Sequence, residues 1–151
     1  MSVEPLRFEA LSVGACYVHG DVAIDAASIK RFARRYDPQP FHLDEKAGRA
    51  SLFGGLAAPG WLSMTLVARQ LTAGAPQRFA DVGAEGLDDL RWRRPVLAGD
   101  RLSVSSTCLA LDARRGAAQL RVEAVNRAGE LALQYTTWIF VARRLPAALE
   151  R

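Results

Sequence analysis

Two hydrophobic periods divide this chain. Residues 17–24 (YVHGDVAI) have strand-like content, with Gly20 as a bulge or turn. From Ile29 the period lengthens: Ile29, Phe32, Ala33 and Tyr36 fall at i, i+3, i+4 and i+7, the apolar stripe of a helix. Asp25 is placed to cap that helix, because its carboxylate can accept an orphan N–H of the first turn. Lys30, Arg31, Arg34 and Arg35 fall mostly on the wet side, and Pro38 ends the helix just after Asp37. Residues 43–50 predict a short surface helix, and Gly54 and Gly55 break the chain after it. Residues 60–71 (GWLSMTLVARQL) are apolar nearly all round, which is the pattern of a buried helix. Only Arg69 and Gln70, near its end, want water. Beyond Gly74 and Pro76 the period shortens to two. Strands are predicted at 87–96, along Leu102, Val104, Ser106 and Cys108, along Leu120, Val122 and Ala124, and at 131–141. Turns at 98–100, 114–116 and 126–129 separate them. Short turns between successive strands imply an antiparallel meander. One buried helix with about five such strands predicts an α+β fold, the sheet wrapped around the helix. No repeat or linker interrupts residues 1–151, so one domain is expected.

The stretch at 36–61 (YDPQPFHLDEKAGRASLFGGLAAPGW) carries the candidate chemistry. Asp37 and His42 lie five positions apart, with Pro38 and Pro40 between them. Proline fixes its own φ and biases the residue before it toward extended geometry. A stiff loop holding both side chains is therefore expected. Further on, Gly60 opens the apolar helix. An acid, an imidazole and a helix N-terminus rich in free N–H groups are what is needed to polarise a carbonyl and move a proton. Each residue also has a quieter reading. Asp-Pro starts turns, a loop histidine can bond a backbone carbonyl, and a glycine can simply let a helix pack closely. A metal site from His42, Asp44, Glu45 and His19 is not expected, because His-x-Asp-Glu matches no common metal signature.

Composition narrows the choices. Half the residues are hydrophobic and 24% are charged, as in ordinary globular proteins. No apolar run reaches the roughly 20 residues that span a bilayer, so no membrane partner is expected. The first residues (MSVEPLRFEA) lack the apolar core of an export signal. Cys16 and Cys108 lie far apart and form no metal spacing. Together these predict a cytoplasmic protein with reduced thiols. The net charge is +4, and arginine supplies all but two of the 20 basic residues. The arginines occur in scattered pairs with acids among them, which argues against nucleic-acid binding. A mild positive field suits a small phosphorylated ligand. Ser51 and Ser63 lie in no Gly-x-Ser-x-Gly elbow, so a serine-nucleophile hydrolase is not expected.

The pattern Asp37-x-x-Pro40-Phe41-His42, then Phe53-Gly54-Gly55-Leu56, then Gly60 at a helix start, resembles the MaoC-like dehydratases, or (R)-specific enoyl-CoA hydratases. Arg93-Arg94-Pro95-Val96 with Gly99-Asp100 is similar to the same family's strand-and-turn signature. The resemblance covers about residues 15–142. It implies a hot-dog fold, with the Gly60 helix at its centre, and a homodimer or dimer of dimers. It implies an acyl-CoA or acyl-carrier-protein thioester as substrate and no cofactor. Asp37 and His42 would hold the water that adds across a trans-2-enoyl thioester or leaves an (R)-3-hydroxyacyl one. Gly60 would donate its N–H to the thioester carbonyl, and Pro59, Trp61 and Gly55 would form the surrounding substrate site, with Trp61 restricting the acyl pocket. Arg93, Arg94 and Arg115 are candidates for the carrier phosphates.

The sequence departs from the family pattern at three places. Gln39 stands where asparagine is common, Pro59 where histidine is, and Ala68 where a serine helps fix the aspartate. These departures keep two other readings open: a hot-dog thioesterase, and a non-catalytic acyl-CoA-binding module.

Overall fold

The strands of the second half pair in sequence order, as their short turns require. In the computed structural model, which describes residues 3–80 and 82–146, six strands form one antiparallel sheet. They are β1 (Cys16–Ala23), β2 (Gly83–Ala84), β3 (Asp88–Trp92), β4 (Arg101–Asp112), β5 (Ala117–Val125) and β6 (Leu131–Phe140). β4, β5 and β6 are the expected meander. β1 adds to the other side of β4, while β2 and β3 add to the other side of β6. Alternation buries one face: Leu102, Val104, Ser106 and Cys108 of β4, Leu120, Val122 and Ala124 of β5, and Leu133, Tyr135, Thr137 and Ile139 of β6. The β1–β4 register slips between Val18 and Gly20. Gly20 takes φ 80°, and a Cβ there would fall 2.2 Å from the Ala75 carbonyl oxygen, so only glycine fits the bulge.

Four helices complete the chain: α1 (Ala26–Tyr36), α2 (Pro40–Leu43), α3 (Glu45–Ala50) and α4 (Gly60–Ala73). Asp25 caps α1 as predicted, accepting the Ser28 N–H at 2.7 Å. α4 lies against β1 and β4 and packs Leu62, Met64, Val67 and Leu71 into the core made by the sheet. Each such fully buried side chain is worth about 1.5–3 kcal/mol, which is why a helix with no side-chain N-cap holds its place. This is the hot-dog arrangement that the resemblance implies.

Three local expectations give way. His42 sits on the one-turn helix α2 rather than a loop, because Pro40 occupies N1, where its fixed φ suits a helix start. Gln70 does not face water. It is buried, and its amide donates to the carbonyls of Asp21 at 3.0 Å and His19 at 3.3 Å, tying α4 to β1. The predicted strand at 87–96 stops at Trp92, and a second short bridge forms at Ala57 and Leu97. Cys16 is exposed, Cys108 is buried and both are free thiols. No helix among the described residues is long and apolar enough to cross a membrane.

Candidate active site

α1 stops where its sequence says it must. Asp37 makes the last helical bond, N–H to Ala33 oxygen at 2.9 Å, and Pro38 lets the chain leave. Two residues later Pro40 starts α2, whose single turn brings His42 back toward Asp37. His42 Nε2 lies 3.1 Å from Asp37 Oδ2. The imidazole keeps only 6% of its side-chain exposure, whereas the carboxylate keeps 35%. Gln39, between the two prolines, donates its amide to Asp37 Oδ1 at 2.7 Å. Both carboxylate oxygens are thus oriented.

One peptide pins α2. The Ala57 N–H donates to Phe41 oxygen at 3.1 Å, and the Ala57 carbonyl accepts from His42 Nδ1 at 2.6 Å. Its neighbours are tied to the segment at 96–98: Ala58 N–H to Val96 oxygen at 2.7 Å, Ala98 N–H to Leu56 oxygen at 2.9 Å. Gly60 follows three residues after Ala57. The same short run therefore sets the imidazole and the start of α4. A carbonyl oxygen only accepts, so Nδ1 of His42 carries the ring proton and Nε2 is the working nitrogen. With a proton between Nε2 and Asp37 the pair is a charge-assisted hydrogen bond. Without it, two acceptors face one another, and the two O–H groups of a water molecule can bridge them.

The first turn of α4 is only half spent. Pro59, the N-cap, has no side-chain acceptor to offer, and its carbonyl takes the N–H groups of Leu62 and Ser63. Among the described residues, the N–H groups of Gly60 and Trp61 have no acceptor. They are orphan donors at the positive end of the helix dipole. Gly60 is glycine because an indole lies on it: a Cβ would fall 2.8 Å from Trp92 Cε2. The Gly60 carbonyl is held from two sides, by Trp92 Nε1 at 3.0 Å and Ser63 Oγ at 2.8 Å.

His42, Gln39 and Gly60 open onto one cavity of about 330 Å³. Phe41, Phe53, Ala57, Ala58 and Val96 give it apolar walls, Ser63 adds a hydroxyl from α4, and the run from Trp92 through Arg93 and Arg94 to Pro95 lines it as well. Phe41 stands 5.0 Å from Phe53 and 4.5 Å from the His42 ring, centroid to centroid.

Asp37, His42 and Gly60 are therefore brought together. Asp37 reaches the cavity through its contact with His42, and the three residues expected around Gly60 are not on the cavity wall. Pro59 is buried at the N-cap, Gly55 packs beneath Leu97, and Trp61 points outward at 61% exposure. Trp92, edge-on to Trp61 with ring centroids 5.6 Å apart, holds the wall position instead. Arg93 and Arg94 line the cavity, although Arg94 also pairs with Glu130 at 3.0 Å. Arg115 is spent elsewhere, on Glu85 and the face of Phe140. Asp44 caps α3 through the Ala47 N–H at 2.8 Å, and Glu45 pairs with Lys30 at 2.7 Å, so neither acid joins His42. Sequence reading passed over Ala57 and Trp92, and marked Gln39 only as a departure from the family pattern. Gln39 left a signal, an amide two residues from an acid on a proline-stiffened link. Trp92 left none beyond its place on a strand.

Residues 11–131 match the MaoC like domain family. The MaoC-like dehydratase from Rhodospirillum rubrum superposes with a TM-score of 0.79 at 38% identity, covering 93% of this chain and 99% of that one. The R-hydratase PhaJ1 from Pseudomonas aeruginosa shares the fold at a TM-score of 0.80 and 23% identity, over 93% of this chain and 88% of that one. Mesaconyl-CoA hydratase from Cereibacter sphaeroides is 34% identical over 67 residues, which is 42% of this chain but only 20% of that protein's length. By the extent of the family match and of the structural likeness, the chain belongs to the MaoC-like domain family and carries its hot-dog fold.

Proposed function

We propose that this chain is a hydratase or dehydratase of acyl thioesters, adding water to a trans-2-enoyl thioester or removing it from the (R)-3-hydroxyacyl form. The observation that carries the proposal is that His42, bonded to Asp37, and the unspent N–H of Gly60 meet at one cavity. The thioester oxygen accepts the Gly60 N–H, whose aim is fixed before the reaction begins. As water adds, charge builds on that oxygen, and a preset donor there is worth on the order of 3 kcal/mol. The water sits beside the pair, its two O–H groups bridging His42 Nε2 and Asp37 Oδ2. Its oxygen bonds to C3, the C2=C3 π pair moves to C2, and one water proton passes to the pair. That proton is then delivered to C2, so H and OH are both accounted for and the pair returns to its starting state. Dehydration is the reverse. Arg93, exposed at the cavity mouth, offers a cation to the phosphates of coenzyme A or of a carrier-protein arm.

A spectrophotometric screen of trans-2-enoyl-CoAs of varied length and branching, with free thiol followed in parallel, tests this. Loss of enoyl absorbance without thiol release is expected. Thiol release would instead make the chain a thioesterase, and saturable binding without turnover a binding module. The proposed assembly is a homodimer, supported by the exposed outer edge of β3. Light scattering should give about twice the 16.4 kDa chain mass or a multiple of it, and a monomer at micromolar concentration would refute it.

A further inference from the structure

Trp92 does three things with one side chain. Its Nε1–H donates to the Gly60 carbonyl at 3.0 Å, which locks the indole across the start of α4. Its ring atoms Cε2, Nε1 and Cζ2 would lie 2.8, 3.0 and 3.1 Å from a Gly60 Cβ, so the ring is in contact with the residue whose N–H is unspent. At 43% exposure, it reaches from the cavity wall to the surface. N–H and Cβ leave adjacent atoms of one residue. A thioester oxygen bonded to the Gly60 N–H therefore has its carbonyl carbon beside the indole. The cavity, at about 330 Å³, stands at the low end of the roughly 300–1,000 Å³ of small-molecule sites, and it must hold the thioester as well as the acyl group.

We propose that Trp92 is the specificity-determining wall of this site, confining it to short acyl groups by closing the cavity against Gly60. The proposal rests on the hydratase reading above. Phe41 packs against both Phe53 and the His42 ring, so it cannot yield to a longer chain without disturbing the imidazole. Trp92 is held by one hydrogen bond to a backbone carbonyl and by the edge of the exposed Trp61, neither of which involves the imidazole. Removing its ring widens the cavity beside Gly60 and breaks no bond to His42, Asp37 or the Ala57 tether.

The test compares kcat/KM for four-, six-, eight- and twelve-carbon trans-2-enoyl-CoAs in the wild type, Trp92→Phe, Trp92→Leu and Trp92→Ala, with circular dichroism melting to confirm folding. The wild type should favour the four- or six-carbon substrate over the eight-carbon one by about tenfold or more, the scale at which a pocket rejects extra methylenes. Trp92→Ala, and Trp92→Leu if the alanine variant does not fold, should erase that preference or invert it, chiefly through KM. Trp92→Phe keeps a ring but loses the N–H, and it should retain the short-chain preference with kcat lowered a few-fold. A wild type that prefers eight carbons or more overturns the proposal, as does an unchanged length profile in folded Trp92→Leu. A wild type that binds these thioesters but hydrates none of them overturns the hydratase reading itself, and the proposal falls with it.

Discussion

The chain's two histidines are built in opposite ways. His19, on β1, is fully buried. Its Nδ1 donates to the Gln77 carbonyl at 2.9 Å, and its Nε2 accepts from Ser106 Oγ at 2.8 Å. Burial holds its pKa below the usual histidine value, against the smaller upward pull of the Gln77 carbonyl. His42 spends Nδ1 on a carbonyl in the same manner, but its Nε2 meets a carboxylate beside a cavity. The His19–Ser106 contact has the spacing of a base and its nucleophile, yet both ring nitrogens are already bonded and the ring is sealed from any cavity that could admit a substrate. The difference teaches that chemistry is marked by spare valence at an open wall rather than by short hydrogen bonds. α4 repeats the lesson along its own length. Its first turn leaves two N–H groups without acceptors among the described residues, and its last turn spends the Gln70 amide N–H groups on β1.

The largest effects should separate the two rings. His42→Ala is expected to lower kcat by about 10²–10⁴, far beyond what the accompanying drop in Tm from the lost ring and the unpaired Ala57 carbonyl accounts for. His19→Ala should lower Tm and leave kcat nearly intact. Losing the ring leaves a cavity and strips partners from Ser106 and Gln77, which together cost on the order of 3 kcal/mol, or roughly 10 °C in Tm for a chain of this size. Activity per folded molecule should stay within a few-fold. Calorimetry beside steady-state kinetics reads both, and a His19→Ala protein of undiminished stability would break the comparison.

Gln39 sharpens it next. Its amide is the donor on Asp37 Oδ1, and a hydrogen bond to a charged group is worth about 1.5–3 kcal/mol. Gln39→Ala should lower kcat about tenfold while leaving KM nearly unchanged. An unaltered kcat would show that the carboxylate needs no such support.

A smaller effect lies in the pH dependence of stability. The folded-state pKa of His19 is lowered by burial, so the unfolded chain takes up that proton first as pH falls. The stabilisation from keeping His19 neutral is complete above the unfolded value of about 6.5 and is lost as pH drops below it toward the folded value. Between neutral and mildly acidic pH, the wild-type melting temperature should therefore fall more steeply than that of a folded His19→Gln variant. Parallel curves would contradict this. The smallest effect is expected at Arg93. Arg93→Ala should raise KM for a CoA thioester a few-fold at low salt, and the difference should shrink at high salt. A salt-independent change would remove the phosphate role.

The fold was readable because most of it obeys one period at a time. β4, β5 and β6 alternate cleanly, and their inward residues are those the sequence marks. The centre of the sheet and the α4 core stripe follow from burial alone. β2 is only two residues long and offers no period to read. Gln70 looked wet because hydropathy does not record that a strand bulge at Gly20 leaves carbonyls of β1 within reach. At the site, Asp37, His42 and Gly60 were legible through spacing. The pairing of Gln39 with Asp37, the tether at Ala57 and the indole over Gly60 were not, because each depends on distances between segments that are remote in sequence.

The central claim is that Asp37 and His42 together move the proton of an added water. The most direct test is kcat for a trans-2-enoyl-CoA measured with Asp37→Asn, a change that keeps the shape of the side chain and leaves an amide oxygen for the Gln39 bond. The account predicts a fall of about 10²–10⁴, with KM within a few-fold of wild type and an unchanged melting temperature. An Asp37→Asn protein that keeps more than about a tenth of the wild-type rate, well inside the loss expected for a missing acid–base group, would contradict it.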